Sequence, residues 1–120
     1  MSQPSFFFDP GEAPQPRERV RITELAAAPY PDGSRVRITV ELTPFLEKPN
    51  LEIYARKVDG PIVAEMSVIE TMIPHLEFTL HIRGVEELTG QYVLTAELYY
   101  DDRTQPQHTR QTTFEITSTT

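Results

Sequence analysis

Apolar and polar residues alternate along seven short stretches of this sequence, and each stretch predicts a β-strand with one buried face. We expect the other strands to be organised around residues 90–100, where Tyr92 and Leu94 lie on one face and Thr95 and Glu97 lie on the other. In chain order we label the strands A, B, C, C′, E, F and G, and they cover residues 19–26, 35–43, 51–57, 62–69, 75–83, 90–100 and 108–117.

Turn-forming residues separate these strands. Two prolines and an Asp-Gly pair occupy residues 29–33, and a second Asp-Gly pair lies at residues 59–60. Proline sets φ for a turn, and Asp-Gly accepts the left-handed conformation that closes one. Only residues 84–89 suggest a short helical turn. Short strands at regular spacing, without a ten-residue segment of helical period, predict an all-β antiparallel sandwich.

The segment at residues 90–94, GQYVL, with Leu88 before it, resembles the start of the penultimate strand in immunoglobulin-like and fibronectin-III-like domains. The resemblance implies a seven-stranded antiparallel immunoglobulin-like sandwich with sheets A-B-E and G-F-C-C′. It also implies a tyrosine corner, in which the Tyr92 hydroxyl bonds backbone in the preceding loop and Leu94 fills the core. The sequence differs from antibody domains because it has no cysteine and no tryptophan.

Length and composition narrow the possibilities further. The 120 residues fit one domain, which we divide into an N-terminal arm (1–18), the sandwich (19–117) and a C-terminal tail (118–120). The lack of cysteine excludes disulfides and thiolate sites. A net charge of −7 argues against nucleic acid as a partner. The N-terminus lacks the features of a signal peptide, so we expect a cytoplasmic protein without membrane insertion.

Two features favour a non-catalytic protein-interaction module. Phe6, Phe7 and Phe8 lie in the proline-rich arm, and three adjacent aromatic side chains need a surface on which to pack. Strand C′ is the expected edge of its sheet, yet Val63 and Ile69 add apolar groups to its outer face. An edge strand presents unpaired backbone groups that suit pairing with another chain.

The outer face of the G-F-C-C′ sheet is the third part of this predicted contact surface. Tyr54, Val93 and Tyr99 project from its neighbouring strands. We expect a protein partner or self-association, which includes a homodimer. An arm that covers the same surface within one chain is the alternative.

The strand directions also predict a site where three connections meet at one end of the sandwich, residues 44–50, 70–74 and 101–107. Carboxylates and imidazoles gather there and are ligands for divalent cations. The candidate metal ligands are Glu70, His75, Asp101, Asp102 and His108. Because accessory sandwiches often bind sugars, the alternative function is a cation- or carbohydrate-binding module around Asp101 and Asp102.

No motif of a known catalytic site occurs in the sequence. It contains no Gly-x-Ser-x-Gly elbow, no His-Glu-x-x-His pair and no phosphate-cradling glycine loop. A metal-assisted hydrolase using His75 and His108 is the remaining enzyme hypothesis. We therefore expect no catalytic activity and no cofactor.

Overall fold

The computed structural model describes residues 13–117, in which seven strands form two antiparallel sheets. A turn of 3₁₀ helix, Arg17–Arg19, precedes the strands. No helix in this described part reaches the length and hydropathy that a bilayer-crossing segment requires. The strands are β1 (Ile22–Pro29), β2 (Arg35–Leu42), β3 (Asn50–Lys57), β4 (Ile62–Val68), β5 (His75–His81), β6 (Gly90–Tyr99) and β7 (His108–Ile116).

The strands form where the sequence alternates. In β2, Val36, Ile38 and Val40 are fully buried. Arg37, which lies between two of them, and Glu41, which follows the last, are exposed. A strand places successive side chains on opposite faces, so the apolar set reaches the core and the charged set stays in water.

The sheet orders are β1-β2-β5 and β4-β3-β6-β7. They match the predicted sheets A-B-E and G-F-C-C′, so the predicted fold class is confirmed, and the β-sandwich is compatible with an immunoglobulin-like fold. In the larger sheet β6 lies between β3 and β7, and it pairs antiparallel with both. The predicted organising role of this strand is therefore also found in the structure.

The predicted tyrosine corner is present. The hydroxyl of Tyr92 donates a hydrogen bond to the carbonyl oxygen of Leu88, 2.6 Å away. Burial raises the pKa of this phenol. The Tyr92 ring stacks on Phe114 with 5.1 Å between centroids, and Leu94 is fully buried beside them. The corner thus closes the loop before β6 onto the core.

The predicted helical turn at residues 84–89 is wrong. These residues form bends and irregular backbone. The ammonium group of Lys57 donates to the carbonyl oxygens of Glu87 and Thr89, while the Thr89 N–H donates to the Glu87 carboxylate at 3.1 Å. Because side chains take these backbone groups, the loop is held without helical hydrogen bonds.

Part of the predicted N-terminal arm lies against the sandwich. The N–H of Gln15 donates to the Pro44 carbonyl at 2.9 Å, and the N–H of Leu46 donates to the Gln15 carbonyl at 3.0 Å. The chain before β1 is therefore joined to the β2–β3 connection. The predicted aromatic contacts Phe6, Phe7 and Phe8 and the predicted tail at 118–120 lie outside the described residues.

Candidate functional site

The β2–β3, β4–β5 and β6–β7 connections lie at one end of the sandwich, which we call the loop end. Asn50, at the start of β3, is 7% exposed and joins two of them. Its Nδ2 donates to the carbonyl oxygens of Tyr99 and Tyr100 at 3.4 and 2.9 Å, and its Oδ1 accepts the N–H of Glu70 at 2.8 Å. A buried amide needs such partners, so Asn50 fixes the positions of the loops.

Arg17 joins the 3₁₀ turn to the same end. Its Nε and Nη2 donate to Glu47 Oε2 at 3.1 and 2.6 Å, and its Nη1 donates to Asp101 Oδ2 at 2.8 Å. The guanidinium carbon lies 4.7 Å from the centroid of the Tyr100 ring. The Tyr100 hydroxyl donates to the Glu47 carbonyl at 3.0 Å. A single arginine thus contacts two loops and an aromatic ring.

Charges in this cluster stabilise one another. The hydrogen bond to Glu47 raises the pKa of the Arg17 guanidinium above its ordinary value. The same hydrogen bond lowers the pKa of the Glu47 carboxyl. Burial, followed by the negative charge of Glu47, raises the pKa of the Tyr100 phenol. At neutral pH the cluster therefore contains an ionised carboxylate, a guanidinium and a neutral phenol.

These groups border an open cleft of about 390 Å³, the loop-end cleft. An aromatic ring, carboxylates, an amide and two cations surround one concave space, which suits a small polar ligand with many hydroxyl groups. Its lining residues are Arg17, Leu46, Glu47, Lys48, Asn50, Glu70, Tyr100 and Asp101.

Sequence comparison finds no relatives, since no protein-family model and no curated protein matches the chain. Solved structures do match. A glycosyl hydrolase family 2 member from Bacteroides cellulosilyticus DSM 14838 is similar over 81% of this chain and 15% of its own, with 14% identity and a TM-score of 0.55. The β-glucuronidase of Bifidobacterium dentium, complexed with coumarin-3-O-glucuronide, matches 81% of this chain and 18% of its own, with 16% identity and a TM-score of 0.56.

A β-glucuronidase from Lactobacillus rhamnosus matches in the same way, over 82% of this chain and 16% of its own, with 16% identity and a TM-score of 0.50. These matches show a shared fold. This chain spans less than a fifth of each of the three enzymes.

The matches overturn the main functional prediction. We predicted a protein-interaction module that binds through the four-stranded face, the β4 edge or the aromatic arm. The structural neighbours are instead glycoside-hydrolysing enzymes, so that prediction is wrong. The predicted alternative at the loop end, a carbohydrate-binding module, fits these neighbours better.

The predicted contact residues differ in their exposure. Tyr99 is only 8% exposed, so the expectation that it projects into solvent is wrong, whereas Ile69 is 63% exposed. Val63, Val93 and Tyr54 are half-buried.

The physical reason for the burial near Tyr99 is a loop that bends back over this face. Arg103, in the β6–β7 connection, donates to the buried carboxylate of Glu52 at 3.1 Å, and Ser67 donates to the same carboxylate at 2.6 Å. Tyr54 donates to Glu97 at 2.9 Å. The outer face therefore consists largely of hydrogen-bonded polar groups.

The structure does not gather the five predicted metal ligands. Glu70 and Asp101 both border the loop-end cleft, whereas Asp102 accepts hydrogen bonds from Thr104 within its own loop. His75 lies beside carboxylates of its own sheet, and His108 turns toward β1. Within residues 13–117, no three histidine, aspartate or glutamate side chains are close enough to hold a metal ion.

His108 has a structural role. Its Nδ1 accepts the N–H of Ile22 at 2.9 Å, which requires an unprotonated nitrogen. Burial, reinforced by the charges of Arg21 and Arg110, lowers the pKa of the imidazole below its ordinary value of 6.5. The folded protein thus binds a proton at His108 less readily than the unfolded chain does.

We expect His108 to make folding stability depend on pH. As the pH is lowered through the ordinary pKa of about 6.5, His108 gains a proton in the unfolded chain before it does so in the folded protein. The free energy of unfolding therefore falls as the pH is lowered, until the lower pKa of the folded state is passed. Urea denaturation from about pH 8 to about pH 5 measures this slope. His108→Gln keeps an acceptor for Ile22 and should flatten the slope, whereas His81→Gln, on an exposed position, is the control. An unchanged slope in His108→Gln would contradict the assignment.

Sequence reasoning missed several residues of the cleft, among them Arg17, Asn50 and Tyr100. Arg17 lies in the segment whose prolines predict an extended arm, and Asn50 lies at the predicted start of strand C. Tyr100 continues the inward-facing set of β6 by period, but the strand ends at Tyr99 and the ring lies at the loop end. The available signal was an aromatic residue placed directly before the charged loop at residues 101–107.

Proposed function

We propose that this chain is a non-catalytic accessory domain that binds carbohydrate in the loop-end cleft. Its main support is the half-buried ring of Tyr100, which lies in a concave space of about 390 Å³ among carboxylates and an amide. A sugar ring presents C–H groups that pack on an aromatic face and hydroxyl groups that bond carboxylates. The cleft therefore offers both kinds of contact that such a ligand needs.

The fixed loops add to this support. Asn50 fixes the β4–β5 and β6–β7 connections beside the cleft through side-chain hydrogen bonds. A site whose groups are already ordered loses less conformational entropy when a ligand binds.

The structural neighbours support the same function. By their names they act on glycosides, and this chain matches 15% to 18% of two of them. A part of that size suits an accessory domain that binds a sugar and leaves the cleavage to another part. We further propose that the sandwich is of the fibronectin-III type, which is supported by the strand order and the tyrosine corner.

Replacing Tyr100 by alanine should weaken carbohydrate binding at least about tenfold, because the variant loses the packing surface for the sugar ring. NMR titration with soluble oligosaccharides of glucose, mannose, galactose and xylose, and with one that contains glucuronic acid, measures the affinity and maps the site. Tyr100→Phe keeps the ring and should bind within a few-fold of the unaltered protein.

Tyr30 offers a matched control for the Tyr100 experiment. Its ring also lies under an arginine, with the Arg35 guanidinium carbon 4.6 Å from the centroid, but it belongs to the β1–β2 turn at the opposite end of the sandwich. Tyr30→Ala should leave binding unchanged. The proposal fails if no oligosaccharide shifts the loop-end amides, or if the shifts map to another surface.

A further inference from the structure

The Tyr100 ring is already covered in the structure. One side of it packs against the hydrophobic core, and the Arg17 guanidinium carbon lies 4.7 Å from its centroid. A sugar ring that packs on an aromatic face needs the position that this guanidinium occupies.

Arg17 also occupies the carboxylates beside the ring. Glu47 Oε2 accepts two of its N–H groups, at 2.6 and 3.1 Å, and Asp101 Oδ2 accepts a third at 2.8 Å. Sugar hydroxyl groups that donate to these oxygens compete with the guanidinium for the same lone pairs. The Arg17 guanidinium and a sugar therefore cannot both lie on the Tyr100 ring, and they compete for the carboxylates of Glu47 and Asp101.

We propose that the Arg17 guanidinium occupies the loop-end cleft when no ligand is bound. A carbohydrate must displace this guanidinium, and the displacement lowers the affinity of the cleft for neutral glycans. This inference rests on the proposed function.

The geometry allows Arg17 to leave without unfolding its segment. Backbone hydrogen bonds from Gln15 and the bond of Gln107 Nε2 to the Arg17 carbonyl, at 2.8 Å, hold the main chain. The hydrogen-bond partners of the guanidinium are exposed, since the side chains of Glu47 and Asp101 are 55% and 83% exposed. Ion pairs of this kind are weak and are screened by salt, so the side chain can rotate away while the backbone stays in place.

Displacement of Arg17 also determines the class of ligand. The lining contains three carboxylates, Glu47, Glu70 and Asp101, and two cations, Arg17 and Lys48. When Arg17 leaves, three negative groups face one positive group. A neutral glycan gains hydrogen-bond acceptors from this change, whereas a uronic acid is repelled.

The test compares the affinities of unaltered protein, Arg17→Ala and Arg19→Ala for the neutral oligosaccharides and the glucuronic acid oligosaccharide used above. Arg17→Ala should bind the neutral sugars roughly three- to tenfold more tightly, because a guanidinium no longer occupies the cleft in part of the protein molecules. Arg19 lies in the same 3₁₀ turn, is exposed and lacks a contact with Tyr100, so Arg19→Ala should bind as the unaltered protein does.

A second measurement needs no variant. Raising NaCl from about 20 mM to about 500 mM weakens the Arg17 ion pairs, so the unaltered protein should bind the neutral sugar more tightly at high salt. Arg17→Ala should show no such gain. Thermal melting of each variant confirms that it is folded.

The outcomes separate the two proposals. Equal affinity of the unaltered protein and Arg17→Ala, with no salt effect, overturns the role of Arg17 and leaves carbohydrate binding intact. Preference for the glucuronic acid oligosaccharide by folded Arg17→Ala overturns the assignment to neutral glycans. If neither protein binds any oligosaccharide, carbohydrate binding itself fails, and the role of Arg17 fails with it.

Discussion

Replacing Leu94 by alanine is expected to lower the free energy of unfolding by about 2–5 kcal/mol. Leu94 is fully buried in β6, which lies between β3 and β7 and faces the smaller sheet. The substitution removes apolar surface from the core and leaves a cavity that strands on both sides cannot fill without losing their register. Urea denaturation, with the slope checked for two-state behaviour, measures the loss.

Leu46 provides the matched control because it is also a leucine but is 69% exposed at the loop end. Leu46→Ala should change the free energy of unfolding by less than about 0.5 kcal/mol. Similar losses in the two variants would mean that β6 is not the centre of the core. In that case the strand order would need another explanation.

Alternation was sufficient to predict the strands and their buried faces, whereas the assignment of the strands to two sheets followed from the resemblance to immunoglobulin-like domains. Because side chains alternate between the two faces of a strand, the positions of the apolar residues show which face is buried. Burial of that face then leaves few ways to pair the strands. The corner hydrogen bond of Tyr92, which the structure contains, was likewise implied by the resemblance of the segment around it. Features that a local residue pattern carries were therefore predictable.

Features that depend on distant parts of the chain were not. Arg17 reaches Asp101 across 84 residues, and no periodicity relates a proline-rich segment to a loop that follows β6. The prediction that Tyr99 is exposed fails for the same reason. Its burial accompanies a loop whose Arg103 reaches Glu52 across 51 residues. Alternation describes which face a residue occupies, whereas loops decide whether that face is open to solvent.

The histidines show a third limit of sequence reasoning. His75 and His108 both begin strands near the loop end, which suggested that they face the same space. The two side chains in fact contact different strands of the smaller sheet. His75 lies beside carboxylates of β2 and β5, whereas His108 accepts the N–H of Ile22 in β1. Predicted strand ends are not accurate enough to place a metal ligand.

Replacing Asn50 by alanine should affect stability and the cleft together, with a loss of about 2–3 kcal/mol in the free energy of unfolding. The variant leaves the Tyr100 carbonyl and the Glu70 N–H without the partners that they have in the folded protein. A buried polar group that loses its partner bears the full cost of desolvation. Urea denaturation measures the loss, and hydrogen exchange at residue 70 reports whether the β4–β5 connection loosens.

Gln105→Ala is the control, since Gln105 is exposed in the β6–β7 connection and its backbone N–H, which bonds Asp102, is kept. It should change neither stability nor exchange. If the proposed function is correct, Asn50→Ala also weakens oligosaccharide binding under conditions in which the protein is still folded, because one side chain no longer fixes the backbone of Tyr100 and Glu70 beside the cleft. Full stability in Asn50→Ala would show instead that the loops order themselves without this amide.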